Sequence, residues 1–261
     1  MGFSTYFDLI VGQLWFSLRI AFFPTLKAIC KSPSLLLRPR DISRIVMAQV
    51  WKPFGNGLDE NGRSVKQSLI PPNARGVVLD IGAGHGHTAL YLDPAKVTKY
   101  VALEPNQLMH PEIRSRAATR GFSEASGNCL ILPYGAEETA LITSALGGLH
   151  QVDTLISVLT ICSIPDPERS LAALVDEVLK PGGTFVFYEH VLSHRADVAW
   201  WQRFWTPVWK LEFDGCRLDR PTHKWVQNLD AWEEGSVWTP EDENEEQLFW
   251  HQAGRFIKKT A

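Results

Sequence analysis

The chain has 261 residues, enough for one full-sized domain with a sizeable core and a short appendage. It carries 26 Lys and Arg against 29 Asp and Glu, with 45% apolar and 21% charged residues. This is ordinary globular composition and lacks the basic balance that a nucleic-acid partner would require, so none is expected. Cys30, Cys129, Cys162 and Cys216 are far apart and form no CxxC pair. Neither a disulfide framework nor a zinc motif is expected, and a reducing, cytoplasmic setting is the simpler assumption.

Residues 3–30 are largely apolar but interrupted by Asp8, Gln13, Arg19 and Lys27, and the uncharged stretch 9–18 is too short to span a bilayer. No basic region precedes a clean cleavage site, so a secretory signal is not expected. Tyr6 stands where a myristoylation motif needs Ser or Thr. Phe7, Ile10, Val11, Leu14, Leu18 and Ala21 fall at helical spacing and predict an amphipathic helix up to Pro24. It reads either as a lid on the domain or as a peripheral contact with an intracellular membrane, since Lys27, Lys31, Arg38, Arg40 and Arg44 follow it. Residues 1–50 are therefore expected to form an N-terminal helical lid or membrane-associating segment, and residues 51–261 the catalytic domain. The stretch 52–62, rich in Gly, Pro and Asn, reads as a connecting loop.

The run 76–81 is apolar up to Asp80, as in a buried parallel strand, and leads into Gly82-Ala83-Gly84-His85-Gly86, then a helix start at 88–92. Glycines there permit positive φ and close approach of a ligand. The spacing is GxGxG, not the GxGxxG of a pyrophosphate loop. Asp80 beside it would repel a diphosphate but suits the cationic methionine end of S-adenosyl-L-methionine. A second strand over 100–103 ends at Glu104, placed to accept ribose hydroxyls. Residues 130–132 and 153–160 read as third and fourth strands. A helical stripe over 169–179 stops at Lys180-Pro181-Gly182-Gly183, and 184–190 is a fifth strand. A last strand pair is expected to include 249–257.

Taken together, VLDIGAGHG (78–86), ALEPN (102–106), YGAEE (134–138) and LKPGGTFVFYEHV (179–191) resemble class I S-adenosylmethionine-dependent methyltransferases. TICSI (160–164), EHV (189–191), FWTPVW (204–209) and FDGCRL (213–218) are similar to the branch of membrane-associated alkyl thiol methyltransferases. The resemblance implies a Rossmann-like, seven-stranded, mostly parallel α/β sheet with helices on both faces and an N-terminal helical extension. It also implies transfer of a methyl group from S-adenosyl-L-methionine to a thiol or hydroxyl of a small-molecule acceptor. The implied cofactor residues are Asp80, Gly82, Gly84, Gly86, Glu104, Gly135 and Glu137, the last capping the adenine amino group, with Glu138 second. The acidic stretch 230–247 reads as a solvated face.

Methyl transfer is an in-line displacement and needs a base only if the acceptor must lose a proton. His190, at the carboxyl end of the fifth strand, and Asp214, in the branch-like loop, are the candidate catalytic residues. Cys216 shares that loop, but the reaction needs no covalent enzyme intermediate. His85 and His87 flank the glycine loop without a third ligand, so no metal is expected. Trp201, Trp205 and Trp209 recur every four residues and would form one aromatic face, with Pro207 bending or breaking the helix. Burial against the sheet and an acceptor wall are both open for them. On the same fold a cyclase or isomerase that only binds the cofactor, or a non-catalytic cofactor-binding interaction protein, stands as the alternative. A nicotinamide-dependent oxidoreductase fits the loop spacing poorly.

Overall fold

The structure, a computed structural model, describes residues 3–260, with side chains from Tyr6 onward. Seven strands form one sheet: β1 (Gly76–Ile81), β2 (Val97–Leu103), β3 (Cys129–Leu132), β4 (Val152–Val158), β5 (Leu179–His190), β6 (Trp232–Trp238) and β7 (His251–Lys258). Their spatial order is β3-β2-β1-β4-β5-β7-β6. The first five are parallel, and β7 runs antiparallel between β5 and β6.

Strand periodicity sorts the core into two layers. On one face Val78, Tyr100, Ala102, Val186 and Tyr188 pack against α3 (Arg63–Asn73) and α4 (His110–Thr119). On the other, Leu79, Ile81, Val101, Leu103, Phe185 and Phe187 pack against α5 (Thr139–Leu146), α6 (Pro167–Ala173) and α8 (Thr222–Gln227). Successive residues of one strand point to opposite faces, so each run is apolar throughout because both faces are covered.

A third cluster joins α1 (Phe3–Lys31), α2 (Pro39–Asn61) and α7 (Ala196–Glu212) through Tyr6, Ile10, Val46, Val50, Trp201 and Trp205. Here the structure departs from several expectations. The first helix continues through Pro24 to Lys31. A mid-helix proline costs roughly 3 kcal/mol, and the packing of α1 on α2, with Ala21 buried, offsets it. The stretch 52–62 is not a loop: α2 runs through Pro53 to Asn61. Gly55 is there for close approach, since a Cβ would lie 2.9 Å from His87 and 3.1 Å from Trp51. The division expected at residue 50 thus falls inside α2. Residues His87–Tyr91 form only a 3-10 turn. Pro207 does not end α7, which Gln202 ties to its surroundings through bonds to Ser193, Val191 and Leu248.

Candidate active site

Parallel strands expose their carboxyl ends to a crevice, and β1, β2 and β4 open one here. After β1 the chain turns through Gly82, Gly84 and Gly86, all at positive φ (63°, 56° and 78°). A Cβ on Gly82 would collide with Thr160, and one on Gly84 would lie 2.8 Å from the Trp51 indole nitrogen. Glu104, at the end of β2, fixes the loop: its carboxylate accepts from the Gly84 and Asn106 amides, each at 2.8 Å. Gly82, Gly84, Glu104, Gly135 and Glu137 line this cleft, with Arg44 and Trp51 of α2 across its mouth. The Glu138 carboxylate is committed to the Gly135 amide at 2.7 Å.

Two of the expected cofactor residues are not on the wall. Asp80 is buried behind the loop, accepting from the Tyr100 hydroxyl at 2.8 Å. Gly86 closes the turn through its amide to the Ala83 carbonyl at 2.7 Å. Burial pushes the carboxyls of both Asp80 and Glu104 up to about 7. Asp214 lines the same cleft rather than an acceptor space. Burial raises its carboxyl, against the opposing pull of Arg44 and Arg40. Asp214 and Gly215 both adopt positive φ (44° and 87°) in a tight turn that presents Cys216.

Beside the cleft lies a cavity of about 800 Å³. Leu9 of α1, Met47, Trp51 and Phe54 of α2, Trp209 of α7 and Phe213 give it apolar walls. It shares Met47, Trp51, Leu159 and Ser163 with the cleft, so the two spaces meet across one wall. Leu159, at the end of β4, is held at φ 55° with its amide bonded to the Tyr188 carbonyl at 2.9 Å. A non-glycine residue there is strained. Of the three periodic tryptophans, Trp201 and Trp205 pack against α1, while Trp209 also faces the cavity.

His190 lies on the cavity wall, almost fully buried. Its Nε2 lies 3.4 Å from Cys216 Sγ, which is itself 3.4 Å from Cys162 Sγ. Sequence spacing concealed this meeting, because 54 residues separate the two cysteines. The only hint was that both lie in the branch-like segments. The bond to Cys216, together with burial, raises the Cys162 thiol well above its usual range. Neighbouring Glu189 points the other way and accepts from the Thr160 and Ile161 amides and the Ser157 hydroxyl.

A second histidine was missed from sequence. His251 opens β7 directly opposite His190 in the antiparallel register, so both face the same side and line the same cavity. Its Nδ1 lies 3.0 Å from Glu243, whose side chain is 7% exposed. Glu243 belongs to the stretch expected to be a solvated face, and here it turns inward.

These features define a Rossmann-like α/β protein with a nucleoside-type cleft beside an acceptor-sized cavity. A methyltransferase domain model matches residues 59–234, and the chain belongs to that family. It is 30% identical over 165 residues to rat thiol S-methyltransferase TMT1B, covering 62% of this chain and 63% of the relative. Human thiol S-methyltransferase TMT1B is 38% identical over 164 residues, covering 62% of each. The matches therefore span under two thirds of the length of these curated relatives. Among solved structures, a SAM-dependent methyltransferase of Thermotoga maritima has the same fold, with TM-score 0.52 and 20% identity, covering 82% of this chain and all of that one.

Proposed function

We propose that the chain transfers a methyl group from S-adenosylmethionine to the thiol of a small, largely apolar molecule. The observation that carries this is the pair of spaces meeting at Leu159 and Ser163, one lined by glycines and acids and the other apolar with imidazoles on its wall. The bound cofactor supplies an electrophilic methyl group on a sulfonium. Gly82 and Gly84 let the backbone approach it, Glu104 accepts from the ribose hydroxyls and Glu137 from the adenine amino group. Asp80 acts through Tyr100 in shaping the loop, and Asp214 adds negative charge beside the cationic end. The acceptor lies against Trp209, Phe213 and Met47. His251, oriented by Glu243, takes its proton, and His190 borders the same position. A thiol needs least help in ionising, and the curated relatives are named for thiol methylation.

Calorimetric titration with S-adenosylmethionine beside NADH, followed by mass spectrometry with hexanethiol and a phenol, tests this. Binding of the first cofactor alone and formation of the methyl thioether are expected. Cofactor binding without methyl product would remove the catalytic reading in favour of a cyclase or binding protein; no binding would remove the cofactor assignment as well.

We also propose a peripheral seat on an intracellular membrane. Within Tyr6–Lys31 an 18-residue window has a mean hydropathy of 1.5, and only 17% of that window is buried. Trp15, Phe22 and Phe23 of α1 and Trp200, Phe204 and Leu211 of α7 face outward. The two helices touch through Phe7 and Trp205, 5.6 Å between ring centres. So much exposed apolar and aromatic surface is unusual for a free surface and suits the headgroup boundary. Co-flotation with phosphatidylcholine vesicles, lost in a variant with Trp200, Phe204 and Leu211 changed to Ser, is expected. A wild-type chain that stays at the bottom of the gradient would remove the proposal.

A further inference from the structure

Three sulfur and nitrogen ligand atoms converge at the floor of the cavity. Cys162 Sγ, His190 Nε2 and Cys216 Sγ all lie within 4.8 Å of one another. They come from three separate segments, each fixed independently. Cys162 sits in the turn after β4, where Glu189 takes the Thr160 and Ile161 amides and Arg220 donates to the Ile161, Cys162 and Ile164 carbonyls. His190 is set by the pairing of β5 with β7. Cys216 is set by the Asp-Gly turn, with its amide on the Phe213 carbonyl.

We propose that Cys162, His190 and Cys216 bind one zinc ion, with an open fourth position facing the cavity that takes the sulfur of the acceptor. Two cysteines and one histidine with a vacant tetrahedral site form a known catalytic donor set. Zinc bonds of about 2.3 Å to sulfur and about 2.0 Å to nitrogen place tetrahedral ligands about 3.5–3.8 Å apart. The observed separations of 3.4 Å for Cys162–Cys216 and 3.4 Å for Cys216–His190 come within a few tenths of an ångström of that.

A second observation points the same way. His190 is 6% exposed and its Nε2 is aimed at the sulfurs, 3.4 Å from Cys216 Sγ. Sulfur is a weak hydrogen-bond partner, so the buried ring is poorly satisfied without a ligand at Nε2. The Trp209 indole N–H donates to Cys216 Sγ at 3.3 Å and so helps to fix that sulfur in place. Cys216 and His190 line the cavity whereas Cys162 lies behind, so the uncovered side of the triangle faces the acceptor space.

The role follows from that geometry and rests on the thiol reading above. When the acceptor reaches the ion, its S–H bond breaks, the electron pair stays on sulfur and forms the bond to zinc, and the proton passes to His251 and then to solvent. No oxidant or reductant is involved. The ion would hold the acceptor as a thiolate against the wall shared with the cofactor cleft.

Cobalt(II) is the probe, added to the full chain purified under reducing conditions and stripped with chelator. One ion per chain, with thiolate-to-cobalt charge transfer and intense tetrahedral visible bands, is expected, and zinc should displace it. Cys162→Ser and Cys216→Ser should each weaken binding by more than the roughly 10–100-fold that loss of an outer-shell partner costs. If either variant fails to fold, the wild-type charge-transfer band still reports thiolate ligation. Hexanethiol, but not hexanol, should shift the visible bands. No stoichiometric binding, a spectrum without charge transfer, or a Cys162–Cys216 disulfide in place of titratable thiols would overturn the site. Binding with no response to hexanethiol would overturn its role. Calorimetry with S-adenosylmethionine and a thiol-methylation assay on the same sample separate the two proposals. Methylation by metal-free protein sinks only the zinc, whereas cobalt binding without methylation sinks only the thiol reading.

Discussion

Glu104 lies where β2 ends, nearly enclosed, with its two oxygens on the backbone amides of Gly84 and Asn106. Desolvation raises its carboxyl to about 7, so in the free protein it is largely protonated at pH 6 and ionised at pH 8. In the proposed cofactor site, ribose hydroxyls would donate to the ionised form. Cofactor affinity should therefore rise with pH by up to about tenfold per unit below 7 and flatten above it. Calorimetry across this range checks the slope, and Glu104→Gln should weaken binding and make the slope shallower. The stability consequence has a definite sign. A raised folded-state pKa stabilises below the unfolded value and is lost as pH rises through about 7, so the thermal shift produced by cofactor should be larger at pH 8 than at pH 6. At His251 the expected loss is kinetic: Glu243→Gln should lower kcat by roughly 10–100-fold with little change in KM. Equal loss in KM would instead mark Glu243 as part of the binding wall. The glycine loop and Glu104 were legible because their residue types encode backbone shape and charge. Asp80 and Gly86 were legible as motif members but not as wall or support, since a motif records a turn without recording which side of it meets the ligand. His251, Glu243 and the cysteine pair were illegible because long-range folding alone unites them.

Among the elements, α2 governs access. The cleft measures about 120 Å³, below the roughly 300 Å³ of a typical ligand pocket. Trp51 stands against Gly84 at its mouth. An outward shift of Trp51 would enlarge the cleft toward the size of a nucleoside. Trp51→Ala should speed association of S-adenosylmethionine in stopped-flow measurements, and an unchanged rate would place the entrance elsewhere. On α7, Trp201→Ala should cost about 3–5 kcal/mol in denaturant unfolding, because it empties the packing against Tyr6 and α1. The apolar runs of β1, β2, β4 and β5 could be read as strands because both faces are covered. β6 could not: as an edge strand with exposed Glu233, Glu234 and Gly235 it has the composition of a surface loop, and pairing with β7 makes it a strand. The helical course of residues 52–61 was hidden for the opposite reason, its glycine and proline content outweighed by packing on His87 and Tyr91.

At the scale of the molecule, two sheet-packed cores and one helical cluster divide the work. The sheet carries the cleft, while α1, α2 and α7 roof the cavity and carry the outward apolar surface. The proposed acceptor capture and membrane seating would thus share helices, and on that proposal vesicles should lower KM for long-chain thiols more than for short ones in an activity assay. The placement of β7 has a further consequence for how the chain is made. β5 is complete at His190, yet its neighbour in the sheet begins only at His251, and β6 has β7 as its partner. During synthesis β5 therefore emerges with an open edge that β6, already translated, does not fill. The Glu243–His251 pair and the final cavity wall come into being only when that late strand slots in, and until then β5 presents an open strand edge to other chains.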